Sequence, residues 1–287
     1  MNYLGLIGKI EPKTRVTAPL RIDISGGWPD SDPHRAKHGG KVLNIAINHR
    51  VSAELKNGNL VTSMENSPSS SGLGTSGGLG TSGALRACYL VASNPALLDR
   101  KDLLINRVFV FENLILQHRA GAQDQSAAIY GGGNLWNFSD GKVPIIRRSK
   151  VSEERLQQLE GKIALIYTGP HDSSNMHKEV FNEDQTRKLT HMSELAELMF
   201  ANLDNTKLMQ KYISETWDLQ RSLSPKIETK AMRDLQSLKK NSYLACKACG
   251  AGGGGVMMFY TETPTAFENT PGYIPFKFDR KGIQLDK

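Results

Sequence analysis

A phrase of six residues, Gly-Leu-Gly-Thr-Ser-Gly, occurs twice in succession, at 72–77 and 78–83, directly behind Pro68-Ser69-Ser70-Ser71. The run that follows, 84–92, is helix-compatible with an apolar side. Glycine admits φ > 0 and lets a ligand come close to the main chain. A helix start adds unpaired N–H groups and the positive end of its dipole. Together these bind anions, phosphate above all. The hydroxyls of Thr75, Ser76, Thr81 and Ser82 supply phosphate donors, metal ligands or a helix cap. A second glycine run, Gly250-Ala251-Gly252-Gly253-Gly254-Gly255, has the same backbone freedom. A shared phosphate would explain having two, so both runs are expected to face one cleft.

Other uses of such glycines fit less well. Each repeat matches G-x-G-x-x-G, but the dinucleotide fingerprint belongs at the first βα turn of its unit. Here most of the first quarter of the chain comes before it, and Asp99 or Asp102 is a weak ribose acid. A Walker A loop needs a lysine, and this stretch has none. A flexible linker would not open an apolar helix.

The surrounding elements must hold these loops in place. Residues 15–25 alternate as a strand, with Val16, Ala18, Leu20, Ile22 and Ile24 on one side. A second strand spans 42–55, and a turn at Lys56-Asn57-Gly58 leads to a third at 60–62. Asn94-Pro95 ends the helix behind the loop. A helix over 101–117 should place Leu104, Val108, Phe111 and Ile115 on one face. Asp124 to Tyr130 opens a short helix. After residue 150 come a strand at 163–167, helices near 184–203, 206–223 and 229–240, and a strand at 256–260. Segments 274–279 and 282–285 are candidate edge strands. This irregular mixture predicts an α+β fold rather than a doubly wound sheet. Two domains are expected, 1–155 carrying the phosphate loop and 156–287.

Composition narrows the class further. Hydrophobic content of 39% and charged content of 23% describe a globular protein, not a disordered one. The net charge of +7 suits an anionic substrate, but it is spread along the chain without a basic run, which argues against nucleic acid. No apolar stretch reaches membrane-spanning length, so no membrane partner is expected. Three cysteines, one necessarily unpaired, and no leader pattern point to the cytoplasm.

Three motifs, in this order, resemble those of the GHMP small-molecule kinases: 19–27 (Pro-Leu-Arg-Ile-Asp-Ile-Ser-Gly-Gly), the Pro68-x-x-x-Gly-Leu-Gly-Thr-Ser loop, and Gly250-Ala251-Gly252-Gly253-Gly254. Residues 21–30, with Gly39-Gly40-Lys41-Val42-Leu43-Asn44, are similar to L-fucokinase. Gln123-Asp124-Gln125, Tyr167-Thr168-Gly169, Trp217 and Phe276-Lys277-Phe278-Asp279 recur in fucokinases and in heptose-7-phosphate 1-kinases alike. The resemblance spans nearly the whole chain. It implies the two-domain GHMP fold, a ribosomal protein S5 domain 2-like unit followed by a ferredoxin-like one. It also implies ATP-dependent phosphorylation of a sugar hydroxyl at the anomeric carbon, fucokinase-like. The alternatives are a heptose-7-phosphate 1-kinase and a non-catalytic relative that senses sugar or nucleotide. Basic residues in the pocket would favour the phosphorylated sugar.

The resemblance assigns roles residue by residue. Asp124 is the base beside the sugar hydroxyl, and Arg21 the arginine that keeps it ionised near the transferring phosphoryl group. Gly72, Gly74, Gly78, Gly80, Thr81, Ser82, Gly252 and Gly253 would bind the phosphates of ATP. Ser82 and Glu112 would hold Mg²⁺, which favours oxygen ligands. Asp30, Trp28, His34 and Gln123 would line the sugar or sugar-phosphate site. A homodimer is left open. Two candidates compete for the metal serine, Ser76 by its spacing from Pro68 and Ser82 by its distance to Glu112 and Gln123. A helix begun at Ser76 would contain Gly77, Gly78, Gly80 and Gly83, at roughly 0.8–1 kcal/mol each against alanine, so Ser82 is preferred. The segment between Leu55 and Pro68 is shorter than in these kinases, so the resemblance supports phosphate binding more than adenine recognition. Cys246-x-x-Cys249 is expected to be core, and His34-x-x-x-His38 is expected in a loop rather than on a metal.

Overall fold

Strand β1, Arg15–Asp23, is buried along nearly its whole length and organises the first sheet. The computed structural model describes residues 15–56, 59–65, 77–117, 119–171 and 176–286. Pro19 cannot donate to a ladder, and the pairing of β1 with the 17-residue β2 (Gly40–Lys56) shifts register between Pro19 and Leu20. Past this bulge, Arg21 and Asp23 alternate with Leu20 and Ile22, so the two charged side chains leave one face of the strand.

On its other edge β2 pairs first with β4 (Gly133–Phe138) and further along with β3 (Asn59–Glu65). The turn residues Asn57 and Gly58 lie outside the described residues. The sheet runs β5-β4-β2-β1-β9, with β5 at Ile146–Lys150 and β9 at Gln284–Asp286. Its helical cover is α2 (Thr81–Ser93), α3 (Lys101–Val110) and α4 (Gln123–Tyr130), with the short α1 (His34–His38) at the loop after β1. The buried side of α2 is built from Gly83, Ala84, Ala87, Cys88, Val91 and Ala92, so this helix approaches its neighbours closely.

The second unit is a three-stranded sheet, β6-β8-β7, formed by Ile163–Tyr167, Val256–Tyr260 and Ala245–Ala248. Helix α5 (Glu153–Glu160) precedes it; α6 (His177–Val180), α7 (Glu183–Ala201), α8 (Thr206–Ser222) and α9 (Lys230–Lys239) lie between its strands in sequence. Ser152, Asn182, Asn205 and Thr229 cap α5, α7, α8 and α9 by accepting from a main-chain N–H one turn on.

Three expectations are corrected. The helix over 101–117 is α-helical only to Val110, and Phe111–Ile115 is a π turn closed by Leu116 N donating to Phe111 O at 3.0 Å. The wider turn breaks the 3.6-residue period. Glu112 is thereby buried at 3% exposure, while Ile115, expected inside, is 64% exposed. His34 and His38 lie on a helix, not a loop. Segment 274–279 is no strand; one bridge joins Ile47 to Phe278, and 284–286 alone forms the edge. No helix of the described residues is long and apolar enough to cross a membrane.

Candidate active site

Arg21 leaves β1 beneath the loop at 77–80. Its Nε and Nη2 donate to Asp124 Oδ1 at 3.0 and 2.6 Å, and Nη1 donates to the Gly78 carbonyl at 2.6 Å. Burial opposes the guanidinium's charge, but Asp124 and then Asp23 hold it protonated, above the ordinary arginine range. Asp124 stands in the first turn of α4 with its side chain 31% exposed, so one end of the pair faces solvent. The side chains expected to act together do meet here.

Two glycines make this approach possible. Gly80, at φ +77°, caps α2 in the left-handed conformation, and a Cβ on it would stand 3.2 Å from both Arg21 Cγ and Asp124 Cγ. Gly83, one turn into α2, faces α4 so closely that a Cβ there would lie 2.7 Å from Asp124 Cβ. The helix starts at Thr81, within the second repeat, and 77–80 is loop. Ser82 is exposed on the first turn of α2, and Thr81 is buried with no partner for its hydroxyl. Gly72, Gly74, Thr75 and Ser76 lie outside the described residues.

The two glycine runs pack against each other. Val256 N donates to Gly77 O at 3.1 Å, and a Cβ on Gly250 would lie 2.8 Å from Gly78 O. Within the second run, Gly253 N donates to Ile227 O at 2.8 Å, so that amide is not free for a phosphate. Gly252 packs against Ile227 as well.

Glu112 does not stand open as a metal ligand. Its carboxylate accepts from Arg86, which lies four residues beyond Ser82 on the same side of α2. Burial pushes Glu112 up to about 7 although Arg86 opposes this, and Asp124 and Asp30 push the same way as burial. Ser82 and Glu112 are oxygen donors of the kind Mg²⁺ takes. However, the carboxylate is already neutralised, and no group of three His, Cys, Asp or Glu among the described residues could hold a metal. The fit is therefore one of donor type only.

The expected sugar ligands are placed differently. Asp30 is fully buried, and both its oxygens accept from Gln123. Gln123 thus spends its amide N–H groups inward, while its Oε1 is buried without a partner. Trp28, at φ 109°, donates from its indole to Ala251 O at 3.1 Å and meets Phe181 edge-on. A left-handed tryptophan costs on the order of 1–2 kcal/mol. His34 is buried beside His38, ring centroids 5.0 Å apart, and burial and then His38 lower it to about 4.

Several residues of the site escaped the sequence. Arg86 had a signal, its helical spacing from Ser82. Lys247 had none, and Asp23 stood in the 19–27 motif without a role: they form a fully buried ion pair at 2.9 Å, and Asp23 Oδ1 also accepts from Gly250 N at 3.1 Å. This pair ties β1 to the second glycine run. Asn44 donates to Gln123 O at 3.2 Å and accepts from the Trp136 indole at 2.9 Å, fixing the start of α4 to β2. Cys246 and Cys249 are unbridged and buried, as expected of core residues, and burial pushes both thiols up to about 12.

No family model matches the chain. Over 57% of its length it is 24% identical to a D-glycero-α-D-manno-heptose 7-phosphate kinase of Campylobacter jejuni. Over 94% it is 22% identical to an L-fucokinase/L-fucose-1-P guanylyltransferase of Bacteroides fragilis. The chain spans 53% of the first relative's length and 38% of the second's. Among solved structures, a D-glycero-D-manno-heptose 1-phosphate kinase from Bacteroides thetaiotaomicron superposes with a TM-score of 0.71 at 20% identity, covering 96% of this chain and 99% of that one. The mevalonate kinase of Methanococcus jannaschii gives 0.64 at 14% identity, covering 96% and 99%. The chain has the α+β fold of the GHMP kinases.

Proposed function

We propose that this chain is an ATP-dependent sugar kinase that phosphorylates a sugar hydroxyl at the anomeric carbon, in the manner of a fucokinase. The observation that carries it is the Arg21–Asp124 pair at the meeting point of two glycine runs and the start of α2. Sugar-kinase relatives matched over most of the chain support the same reading. We further propose two domains, 1–155 carrying the phosphate loop and 156–287, with the end of the second returning to the sheet of the first.

Phosphoryl transfer needs positioning and neutralised charge more than covalent help. In the proposed reaction the sugar hydroxyl gives its proton to Asp124 as its oxygen bonds the γ-phosphorus; the bond from that phosphorus to the leaving oxygen of ADP breaks. Arg21 holds Asp124 in place and adds positive charge where the phosphoryl passes. The first amides of α2 receive the phosphates. Mg²⁺, held by Ser82 and Glu112 once the latter is released from Arg86, would supply further charge neutralisation.

The basic side chains that the site brings together, Arg21, Arg86 and Lys247, are each paired with a carboxylate. Among the described residues, Arg21 and Lys247 stay paired when Glu112 leaves Arg86, which favours a neutral sugar over a heptose 7-phosphate. Asp124→Asn tests the reading: nucleotide binding should be kept and turnover reduced on the order of a hundredfold or more. Near-normal turnover would remove Asp124 from the mechanism. A phosphorylation screen over free and phosphorylated sugars decides the substrate.

A further inference from the structure

Helix α4 has no cap of its own. The residue at its N-cap position, Ala122, has no side-chain oxygen to offer the first amides. A residue some ninety positions earlier fills that place: Asp30 Oδ2 accepts from the main-chain N–H of Gln123 at 3.0 Å, and Oδ1 accepts from Gln123 Nε2 at 3.1 Å. The loop before the helix closes over this carboxylate. A Cβ on Gly121 would fall 1.9 Å from Asp30 Oδ2, so any side chain there would have to displace the carboxylate. Asp30 is 0% exposed. Neither oxygen of Asp30 is open to a ligand from solvent, and each already accepts from Gln123.

We propose that Asp30 is a positioning residue: its carboxylate caps α4 from a distant loop and, through Gln123, sets where the adjacent Asp124 carboxylate stands. This rests on Asp124 as the base of the proposed kinase. Asn44 holds the other side of the same peptide by donating to Gln123 O. The first residue of α4 is therefore fixed at its N–H, its side-chain amide and its carbonyl, all by partners far away in sequence. Burial, against which the Gln123 amide works, pushes the Asp30 carboxyl up to about 6, as a site walled from water requires.

The test has a structural arm and a kinetic one. In the wild-type chain the Gln123 amide should be protected from hydrogen exchange although it is the first amide of a helix; exchange at the rate of an open amide would overturn the cap. In Asp30→Ala that protection should fall about tenfold or more. Asp30→Asn keeps the volume and one acceptor, so it stands in should the alanine variant not fold. Its kcat should drop about tenfold to a hundredfold while the KM for the sugar stays within about threefold. A rise in sugar KM with kcat unchanged would make Asp30 a sugar ligand and defeat the proposal. The exchange arm needs no turnover, so a chain that phosphorylates no sugar would defeat the kinase reading and leave the cap standing.

Discussion

Gly83→Ala sets two effects of known size against each other. In an exposed helix interior the exchange stabilises by about 0.8–1 kcal/mol, because alanine costs less backbone entropy. Gly83 is not exposed. The new Cβ would stand 2.7 Å from Asp124 Cβ and 3.0 Å from Gln125 N, where ordinary contact begins at 3.4 Å. One helix must therefore give by about 0.7 Å, and α4 is held by main-chain and side-chain bonds on its far side. Overpacking of this kind costs about 1–3 kcal/mol. The net expectation is a loss of up to about 2 kcal/mol, with Tm falling about 2–4 °C per kcal/mol for a chain of this size class. Turnover should fall further than stability explains, about tenfold or more, because the displaced atom carries the base. Thermal melts and steady-state kinetics on one preparation measure both. A variant with raised Tm and unchanged kcat would refute the contact between α2 and α4 as the constraint.

Three more expectations follow from buried charge. Lys247→Met leaves Asp23 buried without its partner and should cost about 3–5 kcal/mol, much of it recovered in Asp23→Asn/Lys247→Met; urea midpoints read this, and a neutral single variant would contradict it. The carboxyl of Asp30 is raised from 3.8 to about 6 on folding, so the folded chain holds that proton more tightly. Its contribution is therefore present below about pH 4, declines as pH rises through 6, and is level above. Relative to Asp30→Asn, wild-type stability should fall over that window, and a gap that widens in favour of wild type with rising pH would show the opposite shift. Arg86→Met removes the cation that opposes burial at Glu112, so this carboxyl should titrate above its wild-type value of about 7; carboxyl NMR over pH reads this, and an unshifted or lowered midpoint would mean that the arginine does not hold the carboxylate ionised.

The sequence disclosed the parts whose local chemistry is strong. Alternation marked β1, apolar runs marked β6 and β8, and the glycine cost placed the start of α2 in the second repeat. Strand β4 gave no such signal. Asn134, Trp136 and Phe138 on one face and Gly133 and Leu135 on the other are buried, so both faces are covered and the polar–apolar alternation is lost. The π turn was hidden because a helical period of 3.6 fits 104, 108, 111 and 115 well on paper, and nothing in the residue types announces one extra residue in a turn. Arg21 and Asp124 were found by motif. Asp30 was placed by motif too, yet its bonds to Gln123 depend on how the loop at 121 closes over it, which is a matter of tertiary packing. Lys247–Asp23 belongs to the same kind: 224 positions separate the partners, and neither has a local reason to be buried.

The return of residues 276–286 to the first sheet bears on how the chain reaches its fold. Asn48 N donates to Lys277 O, Asp279 N to Ala46 O and Gly132 N to Asp279 O, at 2.9, 2.8 and 2.7 Å. Arg50 pairs with Asp279, and β9 lies along β1, the strand that bears Arg21. The first sheet is therefore not a contiguous piece of sequence. While the chain is being synthesised, β1 waits with an open edge and Arg50 without its acid until the whole second unit has been made. Contacts of such long separation slow folding and leave an unpaired strand at risk of pairing with another chain. They also bind the two units into one unfolding event, so a cut near residue 155 should yield two fragments that fold only together.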